Sequence, residues 1–397
     1  MEALYNYQNQ LIASTEFLFR RPLIEQIEWN ERLVGLLGAR GVGKTTCLLQ
    51  HLTDYPYSDK SRLYVTLDNL SNPYPTLISL AEAFVRQGGK QLIIDEIHKY
   101  PQWAAEIKNI YDLYPGLRVV FSGSSTLKLM DASVDLSRRA VIYHLFGLSF
   151  REFLQIQSGK NFPCFKLDDL LKNHEEISLS ILKELKPLKY FPDYLRWGYF
   201  PFYLQSVSTY PIKLQGIINY ILESEIPALS NLDSRNVQKM KRALQIIAEK
   251  VPYQPNITQL SAALELNRNT LLQYLGFLEK TGIIASLYNS GSFYGRLTKP
   301  GKILLNHPNI SYALAKGEVN PGSVREGFFV NQLNTTHKVE LAVKGDFLID
   351  EKYTFEIGGK GKTLKQTGGI PLSYIATDDT EIGGGNKIPL WLFGFLY

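Results

Sequence analysis

Residues 38–45 read GARGVGKT, which is a complete GxxxxGK(S/T) sequence. In such a loop the glycines let backbone N–H groups turn toward phosphate oxygens, and the following helix adds its positive dipole end. The Lys44 ammonium is expected to reach the β- and γ-phosphates, and the Thr45 hydroxyl to ligate Mg²⁺. The sequence therefore predicts a site for ATP and Mg²⁺. The residues predicted to bind the nucleotide are Gly38, Ala39, Arg40, Gly41, Val42, Gly43, Lys44, Thr45 and Thr46.

Two carboxylates follow an apolar run, Gln91–Ile94, that is typical of a buried strand. Asp95 is expected to hold Mg²⁺ through water, so the predicted metal ligands are Thr45 and Asp95. Glu96 then stays free to polarise the water that attacks the γ-phosphate. The alternative is an ordinary strand that ends in a solvated acidic turn.

Three further side chains are candidates for sensing or stabilising the γ-phosphate. Ser122 and Ser124 follow the run Val119–Phe121, where small hydroxyls suit a polar sensor, although a plain strand-ending turn explains them nearly as well. Arg139 is a candidate arginine finger, in cis or from a neighbouring subunit, with a solvated surface arginine as the alternative. The predicted catalytic set is Lys44, Glu96, Ser122, Ser124 and Arg139.

The first 150 residues have the pattern of a scaffold that would position these groups. Short apolar runs alternate with helical patterns, which predicts an α/β fold with a sheet covered by helices. Because the spacings leave room for a helix in each crossover, the sheet should be mostly parallel. The predicted strands are Leu33–Leu37, Arg62–Leu67, Gln91–Ile94 and Leu117–Phe121, and the predicted loop helix is Thr46–Leu52.

Residues from about 148 to 230 are helical and aromatic in pattern, which predicts a helical lid or linker. The following residues, 258–280, predict a helix-turn-helix, and 283–297 would form its wing. The predicted core stripe is Leu260, Ala263, Leu271, Leu275 and Leu278. The polar residues expected at the exposed start of the second helix are Arg268, Asn269, Thr270 and Gln273, and the basic residues in or beside the wing are Arg296, Lys299 and Lys302.

Positive charge is concentrated in this same segment. Between Arg235 and Lys302 there are ten basic residues against three acidic ones, whereas the whole chain has 43 basic and 38 acidic residues and a net charge of +5. A local excess of this kind predicts a polyanionic partner such as DNA. Basic faces are common on soluble domains, and winged helices also dock proteins, so DNA and protein both stay open as partners.

Charged residues near the C-terminus resemble the pattern of a metal-dependent nuclease. Acids at a helix and on strands would hold Mg²⁺, and a lysine would orient the attacking water. The usual Glu-x-Lys spacing puts the lysine at position 358, which is Gly358 here. A glycine bulge would let Lys360 return to the site; otherwise the domain recognises a ligand without cleaving it, which is the outcome we favour. The candidate residues are Glu326, Asp346, Glu356 and Lys360.

Composition excludes several other classes of protein. A chain of 397 residues with 45% hydrophobic and 20% charged residues predicts two or three folded, soluble domains. Two cysteines, Cys47 and Cys164, cannot form a disulfide framework, and the six histidines show no zinc-binding spacing. We find no signal-peptide pattern and no apolar run long enough to cross a bilayer. The sequence therefore predicts a cytoplasmic protein without a membrane partner.

The segments LVGLLGARGVGKTTCLLQ, LIIDEIHKYPQW and LSRRAVIYHLFGLSFREFL together resemble the prokaryotic ATPases of the AAA-like superfamily that carry a C-terminal domain of unknown function. This resemblance covers nearly the whole chain. It implies an ATP-binding core, a winged-helix segment and a C-terminal part similar to restriction-endonuclease folds. Members usually show Gly-Arg where this chain has Arg138 and Arg139, so only Arg139 matches a family position.

Together these observations predict a four-part chain. Its parts are an AAA-like P-loop ATPase domain at 1–150, a helical lid at 151–231, a winged-helix module at 232–305 and a probably degenerate restriction-endonuclease-like domain at 306–397. We expect an ATPase whose nucleotide state controls a DNA- or protein-binding region. An ATP-regulated nuclease and a nucleotide-dependent interaction platform with negligible turnover are the alternatives, and an arginine finger in trans would require oligomerisation.

Overall fold

The computed structural model describes residues 1–68, 74–123, 136, 138–230, 232–291, 299–363 and 369–397. The chain divides into two compact units, Met1–Gly147 and Leu148–Tyr397, which we call the first and second units. In the described ranges, no helix is long and apolar enough to cross a lipid bilayer.

The first unit is built on a five-stranded parallel sheet with the order β2-β3-β4-β1-β5. The predicted parallel α/β sheet is therefore confirmed, with one strand more than the sequence indicated. That strand, β5, contains the apolar residues Val141 and Ile142, but as an edge strand it has no fully buried residue. The strands are β1 (Leu33–Leu37), β2 (Arg62–Thr66), β3 (Gln91–Asp95), β4 (Arg118–Gly123) and β5 (Val141–His144), and the helices are α1 (Glu2–Ser14), α2 (Leu23–Gln26), α3 (Lys44–Leu52), α4 (Leu77–Arg86) and α5 (Trp103–Leu113).

One face of this sheet packs in an apolar core, and the opposite face carries the polar residues of the site. Alternate strand residues pack in one apolar core with side chains of α4 and α5; from β2 and β3 these are Leu63, Val65, Leu92 and Ile94. Side chains alternate between the faces of a strand, so the intervening residues Tyr64 and Asp95 point to the opposite face. The start of α3, which directly follows the 38–45 loop, meets the carboxyl ends of the strands on that face.

Helix α1 lies against the edge strand β2 and against α3. The side-chain amide oxygen Oε1 of Gln8 accepts a hydrogen bond from the backbone N–H of Tyr64 at 2.7 Å. An edge strand otherwise presents unpaired backbone groups. The N-terminal helix thus satisfies the outer edge of the sheet at the residue whose side chain enters the site described below.

The second unit begins with helices and ends with a mixed sheet, as the sequence predicted. Its helices are α6 (Phe150–Ser158), α7 (Leu167–Leu182), α8 (Pro187–Asp193), α9 (Tyr210–Tyr220), α10 (Ile226–Ser230), α11 (Ser234–Lys250), α12 (Ile257–Ala263), α13 (Arg268–Lys280), α14 (Pro308–Leu314) and α15 (Pro321–Leu333). Its strands are β6 (Ile284–Leu287), β7 (Lys302–Leu305), β8 (Val339–Leu341), β9 (Phe347–Ile349), β10 (Tyr353–Gly358), β11 (Ser373–Thr377) and β12 (Lys387–Pro389).

Helices α12 and α13 contact each other and are followed by the antiparallel pair β6–β7. Asn256 and Asn267 cap the two helices by accepting backbone N–H groups of their first turns. The predicted stripe is buried at Leu260, Leu271, Leu275 and Leu278, but Ala263 is exposed. That part of the prediction was wrong: α12 ends at Ala263, and the next residue, Leu264, is the buried one.

The final sheet has the order β12-β11-β10-β9-β8. Strands β10, β11 and β12 are parallel, whereas β8 and β9 pair antiparallel with each other and β9 with β10. Helix α15 packs on β10, and this brings the acids predicted near the C-terminus to one place.

Candidate nucleotide-binding site

The 38–45 loop has the backbone that its glycines permit. Gly41 and Gly43 have φ of 86° and 98°, in the left-handed region that favours glycine. At Gly38 the reason is space, because a Cβ there would lie 2.2 Å from the carbonyl oxygen of Leu145. The loop is therefore folded tightly between the carboxyl ends of β1 and β5.

Lys44 is the first residue of α3 and is 4% exposed. Its Nζ donates hydrogen bonds to the carbonyl oxygens of Gly38 and Ala39, each at 3.0 Å. The ammonium thus lies over the 38–45 loop, which the backbone N–H groups of α3 also face. If phosphate binds there, its oxygens would replace the two carbonyl oxygens as acceptors for Lys44.

Asp95 is the best-connected carboxylate of the site and is 2% exposed. Its Oδ2 accepts hydrogen bonds from the Thr45 hydroxyl at 2.6 Å and from the Tyr64 hydroxyl at 2.8 Å. Its Oδ1 accepts from the Ser122 hydroxyl and from the backbone N–H of Glu96. Hydroxyl and carboxylate oxygens are the donors that Mg²⁺ prefers, so the pair Thr45 and Asp95 fits the ion.

Glu96 follows Asp95 in the left-handed region, with φ of 55°, which is uncommon for a residue with a side chain. Its carboxylate is largely buried, and Oε2 lies 3.4 Å from Nδ1 of His98. Burial raises the pKa of Glu96, the nearby Lys44 ammonium lowers it, and the neighbouring Asp95 raises it again, for a net rise. A carboxyl group with a raised pKa in this position is suited to accept a proton.

The other predicted catalytic residues are placed differently. Ser122 is fully buried beside Asp95, whereas Ser124 lies outside the described residues. Arg139 donates to Asp112 near the end of α5, with both nitrogen–oxygen distances 3.3 Å. It precedes β5, which runs parallel to β1, so it lies at the edge of the sheet opposite the 38–45 loop. A role as an arginine finger, in cis or from a neighbouring subunit, stays a prediction.

Two contributors to the site were not predicted. Tyr64 lies in a predicted strand, where a hydroxyl group among apolar residues is a signal that the side chain has a polar partner. Arg21 is 6% exposed, and its guanidinium donates to the carbonyl oxygens of Val42 and Phe146 at 3.4 and 3.1 Å. Arg21 thus helps to hold the 38–45 loop in place. It was missed because the segment around it contains no recognisable motif.

The second unit gathers a different charged cluster, which we call the carboxylate cluster. Lys302 pairs with Glu326 at 2.9 Å. Nζ of Lys362 lies 3.4 Å from Oε2 of Glu356 and 3.9 Å from Oδ2 of Asp346. Among the described residues, no three acidic, histidine or cysteine side chains are arranged to hold a metal ion.

The prediction of Lys360 in this cluster was wrong, because its side chain is exposed. The reason lies at Gly358, where a Cβ would be 2.8 Å from Cβ and 2.9 Å from Cγ of Lys362. The aliphatic stem of Lys362 therefore fills the space that a side chain at position 358 would take. Since the chain turns back after β10, the lysine that reaches the acids comes four residues later than the usual spacing puts it.

A cavity of about 690 Å³ opens beside this cluster, at the base of the β6–β7 pair. Its lining is rich in amide and charged groups, which suits a polar ligand better than an apolar one. The polar side chains are Gln254, Asn256, Asn289, Lys299, Lys302 and Asp346.

Comparisons with known proteins agree with the geometry of the first unit. Residues 30–154 match a family model described as an AAA domain, and residues 188–318 match a domain of unknown function, DUF8612. The uncharacterized protein MJ1637 of Methanocaldococcus jannaschii is 27% identical over 293 residues, which are 69% of this chain and 60% of that protein. The match thus spans about three-fifths of the relative's length.

Solved structures give only distant likenesses. The Orc1 protein of Aeropyrum pernix in complex with DNA has a TM-score of 0.32 and 12% identity, and covers 79% of this chain and 91% of its own. AMPPCP-bound DnaA of Aquifex aeolicus has a TM-score of 0.25 and 14% identity, and covers 65% and 84%. Residues 30–154 of the first unit are thus similar to AAA domains, and this likeness rests on the AAA model and the loop geometry.

Proposed function

We propose that the first unit binds ATP with Mg²⁺ and hydrolyses it, and that the nucleotide state controls binding of DNA or protein by the second unit. The observation that carries the proposal is the 2.6 Å hydrogen bond between Thr45 and Asp95, beside the Lys44 ammonium. This contact brings a loop residue and a strand-end carboxylate together beside a lysine, which supports a site for a metal ion and phosphates.

Each residue has a separate task in this proposal. Lys44 exchanges its two loop carbonyls for phosphate oxygens, while Thr45 and Asp95 hold the ion, which when bound neutralises phosphate charge. Glu96 accepts the proton of the attacking water. Ser122 orients Asp95 and would sense the γ-phosphate. Arg139 would stabilise the γ-phosphate charge, either in the same chain or in a site on another copy of the chain.

For the second unit we propose a helical lid at 151–231, a winged helix at 232–305 and a restriction-endonuclease-like domain at 306–397. The pair α12–α13 followed by antiparallel strands supports the winged helix. Arg268, Asn269 and Gln273 are exposed at the start of α13, where they could contact DNA. Arg296, which would lie in the wing, is outside the described residues.

Steady-state ATP hydrolysis, measured with and without duplex DNA, tests the proposal. Stimulation or inhibition by DNA supports nucleotide-controlled DNA binding, and an unchanged rate favours a protein partner. If ATP binds but no phosphate is released, the interaction platform is the correct function. Lys44→Ala serves as the control that separates this turnover from a contaminating ATPase.

Nuclease activity is the second candidate, and the proximity of Lys362 to Glu356 favours it more than the sequence did. Two lysines already neutralise the acids of the carboxylate cluster, however, which favours a domain that does not cleave. Nicking of supercoiled plasmid with Mg²⁺ or Mn²⁺, compared between wild type and Glu356→Ala, decides between the two.

A further inference from the structure

We infer that Tyr64 is a positioning residue for the magnesium site, where its hydroxyl holds the carboxylate of Asp95 in the orientation that receives Thr45. The inference rests on the proposed function, because it concerns the same ATP site. It assigns a task to a side chain that belongs to neither the 38–45 loop nor the acidic strand end.

The contacts fix the carboxylate through both of its oxygens. Oδ2 is shared by the hydroxyls of Thr45 and Tyr64, while Oδ1 receives Ser122 and the N–H of Glu96. With donors on both sides, the plane of the carboxylate cannot rotate without breaking at least one bond. A rotated carboxylate would no longer face the Thr45 hydroxyl.

Tyr64 is the residue of β2 that can make this contact. Thr66 lies level with Asp95 in the parallel register, and Tyr64 is two residues earlier on the same face. Two residues of strand span about 6.6 Å, a distance that a phenol ring can bridge but a serine or threonine cannot. The bond of the Tyr64 N–H to Gln8 holds the base of the side chain in place.

The Tyr64 hydroxyl is also kept as a donor. The side chain is 1% exposed, and its hydroxyl lies 2.8 Å from Oδ2 of Asp95. A tyrosine hydroxyl keeps its proton at neutral pH, so it can donate to the carboxylate. Its role resembles that of other outer-shell groups, whose loss typically lowers metal affinity by about 10- to 100-fold.

The test is binding of fluorescent N-methylanthraniloyl-ADP by the full chain, titrated with Mg²⁺ and repeated in EDTA. Tyr64→Phe keeps the ring and removes only the donor, so we expect the half-saturating Mg²⁺ concentration to rise about 10- to 100-fold. Affinity in EDTA should stay within about twofold of wild type, because the 38–45 loop is untouched. The matched control is Tyr100→Phe, which removes a tyrosine hydroxyl bonded to Glu106 in the same unit.

Equal Mg²⁺ dependence in wild type and Tyr64→Phe overturns the inference, and so does a loss of affinity that is the same with and without the ion. If Tyr64→Phe does not fold, Ser122→Ala replaces it, since it frees the other oxygen of Asp95 and should shift the Mg²⁺ dependence in the same direction. An unchanged dependence in Ser122→Ala would overturn the idea that hydroxyl donors set this carboxylate. Failure of the wild type to bind nucleotide at all refutes the proposed function instead.

Discussion

Lys44 and Glu96 carry opposite charges in one buried site, and the proposed chemistry uses them at different points of the reaction. The Lys44 ammonium stabilises the negative charge of the phosphates, which is present as soon as ATP binds. Glu96 acts on the attacking water, so its contribution appears chiefly in the transition state. Substitutions at the two positions should therefore affect different measurements.

Lys44→Ala should abolish ATP affinity, because it removes the point charge placed over the loop. Equilibrium binding of a fluorescent ATP analogue measures this directly. The substitution also removes the two hydrogen bonds to Gly38 and Ala39, so circular dichroism must confirm that the variant is folded. Wild-type affinity in a folded Lys44→Ala variant would refute the assignment of the nucleotide site.

Glu96→Gln should bind ATP almost normally and release phosphate about 10²- to 10⁴-fold more slowly, because an amide cannot accept the proton. Asp95→Asn should instead weaken Mg²⁺-dependent binding as well as turnover, since that carboxylate faces the ion. Affinity and single-turnover hydrolysis measured on both variants compare the two roles. An equal loss of affinity in the two would mean that the roles are assigned wrongly.

The raised pKa of Glu96 has a second consequence, for stability. Burial makes ionisation less favourable in the folded state, so the folded state is penalised as pH rises through the unfolded and then the folded pKa. Above the folded pKa the penalty is fully present, and Glu96→Gln should then have a higher Tm than wild type. Below the ordinary pKa range of glutamate the difference should disappear. Melting curves from pH 3 to pH 8 check the sign, with Glu31→Gln at an exposed position as control.

At the scale of elements, the tight turn from β1 into the 38–45 loop depends on Gly38. A methyl group there would meet the backbone oxygen of Leu145, which belongs to the chain and cannot swing aside as a side chain can. Gly38→Ala should lower the free energy of unfolding by about 1–3 kcal/mol, as overpacking does, and weaken nucleotide binding. The control is Gly116→Ala, where a Cβ meets nothing within 4 Å. Similar denaturation midpoints in the two variants would contradict the steric argument.

The elements also show what a sequence can and cannot predict. Strands β1 to β4 and the loop helix were predictable because they are buried apolar runs next to a motif with fixed chemistry. Strand β5 was not predicted, because its short apolar run lies next to no motif and its pairing with β1 comes from a distant part of the chain. Tyr64 and Arg21 act through contacts with residues distant in the chain, and spacing along the chain gives no measure of such distances.

At the scale of the whole molecule, the two sites lie in separate compact units, each with its own core. Asp346→Ala should therefore leave basal ATP turnover within about twofold of wild type, because separately folded units keep their own sites intact. Phosphate release without DNA is the measurement, and Asp95→Ala provides the inactive reference. A large change in basal rate would mean that the carboxylate cluster participates in the ATPase cycle itself.

Because the side chain of Lys362 lies over Gly358, a search by residue spacing and a search by distance treat this domain differently. A search that reads letters along the chain, and requires a lysine two places after Glu356, rejects this domain. A search that asks whether an ammonium lies within 4 Å of the acid accepts it. The position of the ammonium in space is thus set here by a loop, and the spacing of residues along the chain gives no measure of it.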